Sequence, residues 1–142
     1  MAIRFSNQGI KYNLKDKRKV GNWIKEVAKN HNKQVGELSI VFVSDEEILS
    51  INQQYLNHNY FTDIITFDYS FDRVIEGDIF ISIDTVKTNS QKFRTDYGEE
   101  LFRVIIHGVL HLIGFKDKNP KDKNEMTFNE NVALNLFKKY NE

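Results

Sequence analysis

The stretch that decides this fold reads His107-Gly108-Val109-Leu110-His111-Leu112-Ile113-Gly114-Phe115-Lys116-Asp117. Its two histidines stand four positions apart, so on a helix they project from the same face one turn apart and can bind one metal ion. Gly114 is suited to end that helix, because glycine takes a positive φ without steric cost and lets the chain fold back. The turn would return Asp117 to the same ion. The predicted metal ligands are therefore His107, His111 and Asp117.

Two imidazoles and one carboxylate supply three protein ligands, and a zinc site of this kind keeps a fourth position open for water, as catalytic sites do. The apolar run 101–106 precedes His107 and indicates a buried helix, in which a polar group needs a partner. Two other interpretations of Asp117 stay open: pairing with Lys116 or Lys118, or capping of the next helix. The ligand set also suits nickel, iron or manganese.

The composition limits the classes of site and of partner. The 142 residues include 20 basic and 20 acidic ones, so the net charge does not indicate a nucleic-acid partner, and any such partner needs a local patch. The absence of cysteine excludes disulfides and thiolate sites. No apolar run reaches the length of a signal peptide or a membrane span. We therefore expect one domain over residues 1–142, cytoplasmic and monomeric.

Apolar periodicity and capping signals predict the order of the elements. Helices are predicted at 16–30, 45–55, 84–95, 97–114 and from Pro120 onward, and strands at 3–6, 38–43, 62–69 and 77–83. A turn is predicted at Asn7-Gln8-Gly9. The last two strands should pair antiparallel. Together these elements predict an α+β fold, with a four-stranded mixed sheet, helices packed over it, and the metal site at the end of a central helix.

Taken together, these motifs resemble the YbeY-type endoribonucleases involved in ribosomal RNA maturation. Residues 107–115 match the metal motif H-G-x-L-H-L-x-G-[YF] of that family. Further matches, in family order, are Asn52 and Tyr55, residues 62–67, Gly77-Asp78-Ile79, and Met126 with Glu130. The resemblance spans residues 38–136. It implies a single-strand-specific endoribonuclease with one Zn²⁺ per chain, which acts on small-subunit ribosomal RNA in its processing and in ribosome quality control.

The chain departs from the family at two positions. Asp117 stands where the family usually has its third histidine; Asp is a competent ligand, but its negative charge should make a metal-bound water less acidic. Leu56 stands where the family commonly carries an arginine implicated in activity. A phosphate-facing cation must then come from elsewhere, and the candidates are Arg103, Arg94 and Arg73.

The implied chemistry is hydrolysis of a phosphodiester, with Asp63 and Arg103 as the predicted catalytic residues and zinc lowering the pKa of its water. The proton acceptor stays open between Asp63, His58 and the scissile phosphate itself. Gly108 stands where H-E-x-x-H zinc peptidases carry their glutamate, so peptidase activity is not expected. Candidates for stacking on unpaired bases are Tyr60, Phe61, Tyr69, Phe71 and Phe115.

Two other functions compete with this one. A ribosome assembly factor with a structural or vestigial metal site would bind without cleaving, an idea motivated by Asp117 and Leu56. A fourth protein ligand would favour it, whereas an open fourth position in a cleft would favour the enzyme. A hydrolase of small phosphoesters or amides would instead be favoured by a narrow pocket without a basic groove.

Overall fold

The structure is a computed structural model that describes residues 2–56 and 62–139. In chain order its elements are β1 (Ala2–Gln8), α1 (Lys17–Asn30), β2 (Gln34–Val43), α2 (Asp45–Leu56), β3 (Ile64–Asp68), β4 (Val74–Ser82), α3 (Ile83–Lys92), α4 (Tyr97–Ile113) and α5 (Pro120–Lys139). Among the described residues, every helix is too short or too polar to span a lipid bilayer.

The four strands form one sheet in the order β1-β2-β4-β3. β2 pairs in parallel with both β1 and β4, and β3 pairs antiparallel with β4. Parallel neighbours need a crossover connection, and α1 provides it between β1 and β2. The predicted α+β class, the mixed four-stranded sheet and the antiparallel pair are confirmed.

The alternation of side chains along β2 shows that apolar groups cover both faces of the sheet. Leu38, Ile40 and Phe42 belong to the larger core, which also contains the buried residues of α1, α4 and α5. Val43 lies in a smaller cluster on the opposite face, together with Ile48 of α2. Because side chains of a strand alternate between faces, β2, β3 and β4 contribute to both clusters.

The central helix α4 packs directly on the sheet at Gly108. A Cβ atom at this position would lie 2.9 Å from Cδ1 of Ile64 and 3.1 Å from Cδ1 of Ile79, closer than side chains normally approach. The missing side chain therefore lets the backbone beside His107 come down onto β3 and β4. This approach places the metal motif over the sheet edge formed by β3.

The ends of the last two helices follow the predicted signals. The side chain of Asp96 accepts a hydrogen bond of 3.0 Å from the Glu99 amide at the start of α4. Gly114 follows the helix with φ 128°, a conformation that favours glycine. Asn119 Oδ1 accepts a 2.8 Å bond from the Asp122 amide and caps α5. The turn between the two helices is thus defined at both ends.

Several element boundaries differ from the prediction, and at the strands the reason is that strand pairing overrides local turn propensity. β1 continues through the predicted turn to Gln8, which pairs in register with Val43. β2 and β4 begin at Gln34 and Val74, which pair with each other ahead of a register shift. α3 ends at Lys92 and not at Thr95.

Candidate metal centre

Three ligand atoms meet at the C-terminal end of α4. The Nε2 atoms of His107 and His111 lie 3.0 Å apart, and Asp117 Oδ2 lies 3.3 Å from the first and 3.5 Å from the second. All three side chains are half-buried. Asp117 therefore faces the histidines, and the capping role open to it in sequence is taken by Asn119.

Each histidine is oriented through its other ring nitrogen. The Nδ1–H of His111 donates to the carbonyl oxygen of Phe115 at 3.0 Å, since a carbonyl can only accept. The Nδ1 atom of His107 lies 2.6 Å from Glu130 Oε2 and donates to that carboxylate. Both Nε2 lone pairs consequently point into the same space, as metal-binding histidines require.

The spacing of the donor atoms fits a metal ion. Two lone pairs 3.0 Å apart repel each other unless a proton or a cation lies between them. Tetrahedral ligands at zinc distances of about 2.0–2.1 Å stand roughly 3.3 Å apart. The three observed separations scatter around that value. The group can hold a metal ion, and within the described residues it has these three members.

The two histidines differ in proton affinity. Burial alone would lower the pKa of His107, but the hydrogen bond and charge of Glu130, with Asp117 and Asp63, raise it above its usual value. Burial and the charge of His107 lower the pKa of His111. Of the two imidazoles, His107 therefore has the higher pKa.

Arg103 extends the contacts of His107 through Glu130. Its Nη1 donates to Glu130 Oε1 at 2.9 Å, and its Nη2 donates to Asn131 Oδ1 at 2.7 Å. Glu130 is only 6% exposed, so its charge is compensated by the guanidinium and by the imidazole N–H. Its two oxygens thus join Arg103 to His107.

A concavity of about 280 Å³ opens beside the ligand atoms. It is lined by Asp63, Ile64, Glu100, Arg103, Val104, His107, Asp117 and Glu130. Burial raises the pKa of the Asp63 carboxyl, against the opposing charge of His107. The backbone carbonyl of Asp63 accepts a 2.9 Å bond from the Ser82 amide, which fixes this residue at the start of β3.

The structure brings together five predicted site residues: His107, His111, Asp117, Asp63 and Arg103. The other two arginine candidates do not line this concavity among the described residues. Leu56 is the last residue of α2 and is 40% exposed. His58, Tyr60 and Phe61 lie outside the described residues.

Glu130 also belongs to the site, although no role was predicted for it from the sequence. It stands 23 positions after His107, and only the packing of α5 beside α4 joins them. A sequence signal was present, because a glutamate among the apolar positions Met126, Ala133 and Phe137 lies on the buried helix face. A buried carboxylate needs a partner, which points to a site.

Comparison with known proteins identifies relatives over nearly the whole chain. The family model described as Endoribonuclease YbeY matches residues 3–138. Proteins named Endoribonuclease YbeY from Parabacteroides distasonis and Bacteroides fragilis are 52% and 51% identical. The matches cover 96% and 97% of this chain and 96% and 99% of those proteins.

A solved structure supports the same relationship. The solution structure of TM1509 from Thermotoga maritima superimposes with a TM-score of 0.68 and 25% sequence identity. The match covers 96% of this chain and 89% of that one.

Proposed function

Because the chain belongs to the endoribonuclease YbeY family, we propose that it is a metal-dependent endoribonuclease that cleaves single-stranded ribosomal RNA during small-subunit maturation. The observation that carries the proposal is the convergence of two histidine Nε2 atoms and Asp117 Oδ2 beside an open concavity. An open position next to three protein ligands is typical of catalytic zinc. A cytoplasmic location is part of the proposal.

In the proposed reaction a water oxygen forms a bond to phosphorus, and the bond from phosphorus to one ribose oxygen breaks. The ribose oxygen leaves with the bonding electron pair and takes a proton from solvent. A zinc ion held by the three ligands would make that water more acidic and would polarise a phosphoryl oxygen. Asp63, which lines the concavity beside the ligand atoms, accepts the water proton at its carboxylate.

Arg103 supplies the cation that Leu56 does not provide. Its side chain is 31% exposed and lines the concavity, while Glu130 and Asn131 hold the guanidinium in place. A guanidinium has five N–H donors, so these two contacts leave donors for a phosphate oxygen. We therefore assign Arg103 two roles, orienting Glu130 and binding phosphate.

The experiment combines metal analysis with RNA cleavage. Wild-type protein, His111→Ala, Asp117→Ala, Asp63→Asn and Arg103→Ala are purified without added metal and incubated with a labelled single-stranded oligoribonucleotide. We expect about one metal per chain in the wild type, loss of metal and cleavage in the first two variants, and slower cleavage with metal retained in Asp63→Asn.

The result that contradicts the proposal is bound metal without cleavage. That outcome, with Asp117→Ala still binding metal, would favour the assembly factor whose metal site is structural. Cleavage of small phosphoesters but not of RNA would favour the small-molecule hydrolase. A double-stranded oligoribonucleotide of the same sequence tests the specificity for single strands.

A further inference from the structure

Two grooves share no lining residue with the concavity, and one of them is built on the turn that carries Asp117. The first, which we call the aromatic groove, has a volume of about 430 Å³ and is lined by His31, Lys33, Ile113, Gly114, Phe115, Lys116, Asp122 and Glu125. The second, the lysine groove, has a volume of about 360 Å³ and is lined by Lys25, Lys29, Lys33, Gln34 and Val35. Lys33 belongs to both, so the two grooves adjoin.

The aromatic groove is built on the turn that orients the metal ligands. Phe115 contributes its ring to the groove wall and its carbonyl oxygen to His111 Nδ1. Lys116 lines the same wall and immediately precedes Asp117, whose carboxylate faces the histidines. A chain molecule bound across the metal turn would therefore pass from the concavity into this groove.

The aromatic groove is lined by two aromatic rings, by the lysines Lys33 and Lys116, and by the carboxylates Asp122 and Glu125. The rings of Phe115 and His31 meet edge to face, with centroids 5.2 Å apart. Both residues are half-buried and line the groove, so part of each ring is accessible there. Unpaired bases stack on such rings with little dependence on sequence.

The charges change sign along this path. Four acidic residues, Asp63, Glu100, Asp117 and Glu130, line the concavity, where the basic side chains are Arg103 and His107. The charged side chains that line the lysine groove are all lysines. The macrodipole of α1 accounts for a lysine in its last turn, Lys29, but not for Lys25 or Lys33. In a chain with no net charge, this lysine cluster is a local basic patch.

We propose that the aromatic and lysine grooves bind the phosphate backbone of a single-stranded RNA that leaves the metal site across the turn 114–117. Lys116, Lys33, Lys29 and Lys25 contact successive phosphates, and one base packs against Phe115 and His31. The proposal rests on the proposed function, because it names the path of that substrate. Because Leu56 provides no cation at the end of α2, these lysines would neutralise the phosphate charge.

Binding is measured separately from cleavage. A fluorescent single-stranded oligoribonucleotide is titrated with the His111→Ala protein, and with the same protein carrying Lys25→Gln, Lys29→Gln and Lys33→Gln. We expect roughly tenfold weaker binding at 0.1 M salt, and a salt slope smaller by about 2, because each lysine–phosphate contact on single strands contributes about 0.7. Circular dichroism verifies folding of each variant.

A matched triple variant controls for net charge. Lys11→Gln, Lys15→Gln and Lys87→Gln remove three exposed lysines that line neither groove. This control should bind within about twofold of its parent at 0.1 M salt. An equal loss in both triple variants, or no loss in the groove variant, would overturn the proposal.

Removing a negative charge from the aromatic groove gives a second test. Glu125 lines the aromatic groove and is exposed, so its carboxylate repels a phosphate there. Glu125→Gln should strengthen RNA binding, which damage to the fold would not do; weaker binding would contradict the path. Cleavage by the wild type tests the proposed function independently. Groove-dependent binding without cleavage would contradict the endoribonuclease activity and would still support the proposed RNA-binding path.

Discussion

At the scale of single residues, the buried carboxylate of Glu130 connects the two halves of the site. Its Oε2 lies 2.6 Å from His107 Nδ1 and its Oε1 lies 2.9 Å from Arg103 Nη1. A carboxylate that accepts the Nδ1–H of a ligating histidine fixes the ring orientation and makes Nε2 a better donor to the metal. The same carboxylate holds the arginine at the edge of the concavity.

Replacing Glu130 by Gln tests this connection. The amide can still accept the His107 Nδ1–H bond but has no negative charge, so we expect metal affinity to fall about 10–100-fold. Affinity is measured by competition with a chromophoric chelator. Glu125→Gln makes the same replacement on the exposed surface of α5 and should leave metal affinity unchanged. Equal affinities for Glu130→Gln and wild type would contradict the role of Glu130.

A second prediction at this scale concerns pH and His31. Burial lowers the pKa of His31 below its ordinary value of 6.5 in the folded state. The unfolded chain therefore binds a proton first as the pH falls, and the stabilisation present above pH 6.5 is lost on acidification.

We expect the free energy of unfolding to decrease more between pH 7.5 and 5.5 in the wild type than in His31→Gln. Urea denaturation at both pH values measures the difference, and the remaining histidines act equally in the two proteins. A difference between the proteins that does not change with pH would show that His31 is not the cause.

At the scale of elements, the sequence predicts the features that depend on residues only a few positions apart. The i, i+4 histidines, Gly114 and the caps at Asp96 and Asn119 each act within a few residues, and the structure has α4 and the start of α5 where they predict them. The starts of β2 and β4 depend on each other's pairing across 39 or 40 positions, which no local pattern encodes. The contact of Glu130 with His107 is long-range for the same reason.

The contact between α1 and α5 leads to a prediction about stability. Trp23 is fully buried, and its Nε1 donates to the Ala133 carbonyl at 2.8 Å. Trp23→Phe removes this bond and leaves a small cavity, which should cost about 2–4 kcal/mol of unfolding free energy. Denaturant unfolding measures it. Phe128→Leu, at a position 66% exposed, is the control and should change stability by less than about 0.5 kcal/mol. A loss of less than about 0.5 kcal/mol in Trp23→Phe would contradict the stabilising role of this contact.

At the scale of the whole molecule, the candidate metal centre joins parts that are distant in the sequence. Two ligands come from α4 and one from the turn before α5, while Asp63 comes from the start of β3 and Glu130 from α5. A metal ion at the three ligands would link the turn to α4 only in the folded chain. Ligand binding restricted to the folded state stabilises the whole domain.

Metal should therefore raise the melting temperature of the wild type. At free zinc 100-fold above Kd the stabilisation is about 2.7 kcal/mol. For a chain of this size that corresponds to a rise in Tm of roughly 5–10 °C. Differential scanning calorimetry with zinc, and again after chelation and dialysis, measures the shift. His111→Ala keeps the other two ligands but loses one donor, so its shift should be much smaller at the same zinc concentration. An equal shift in both proteins would place the stabilising zinc away from the three residues, and the open position beside Asp63 would then no longer support a hydrolytic role.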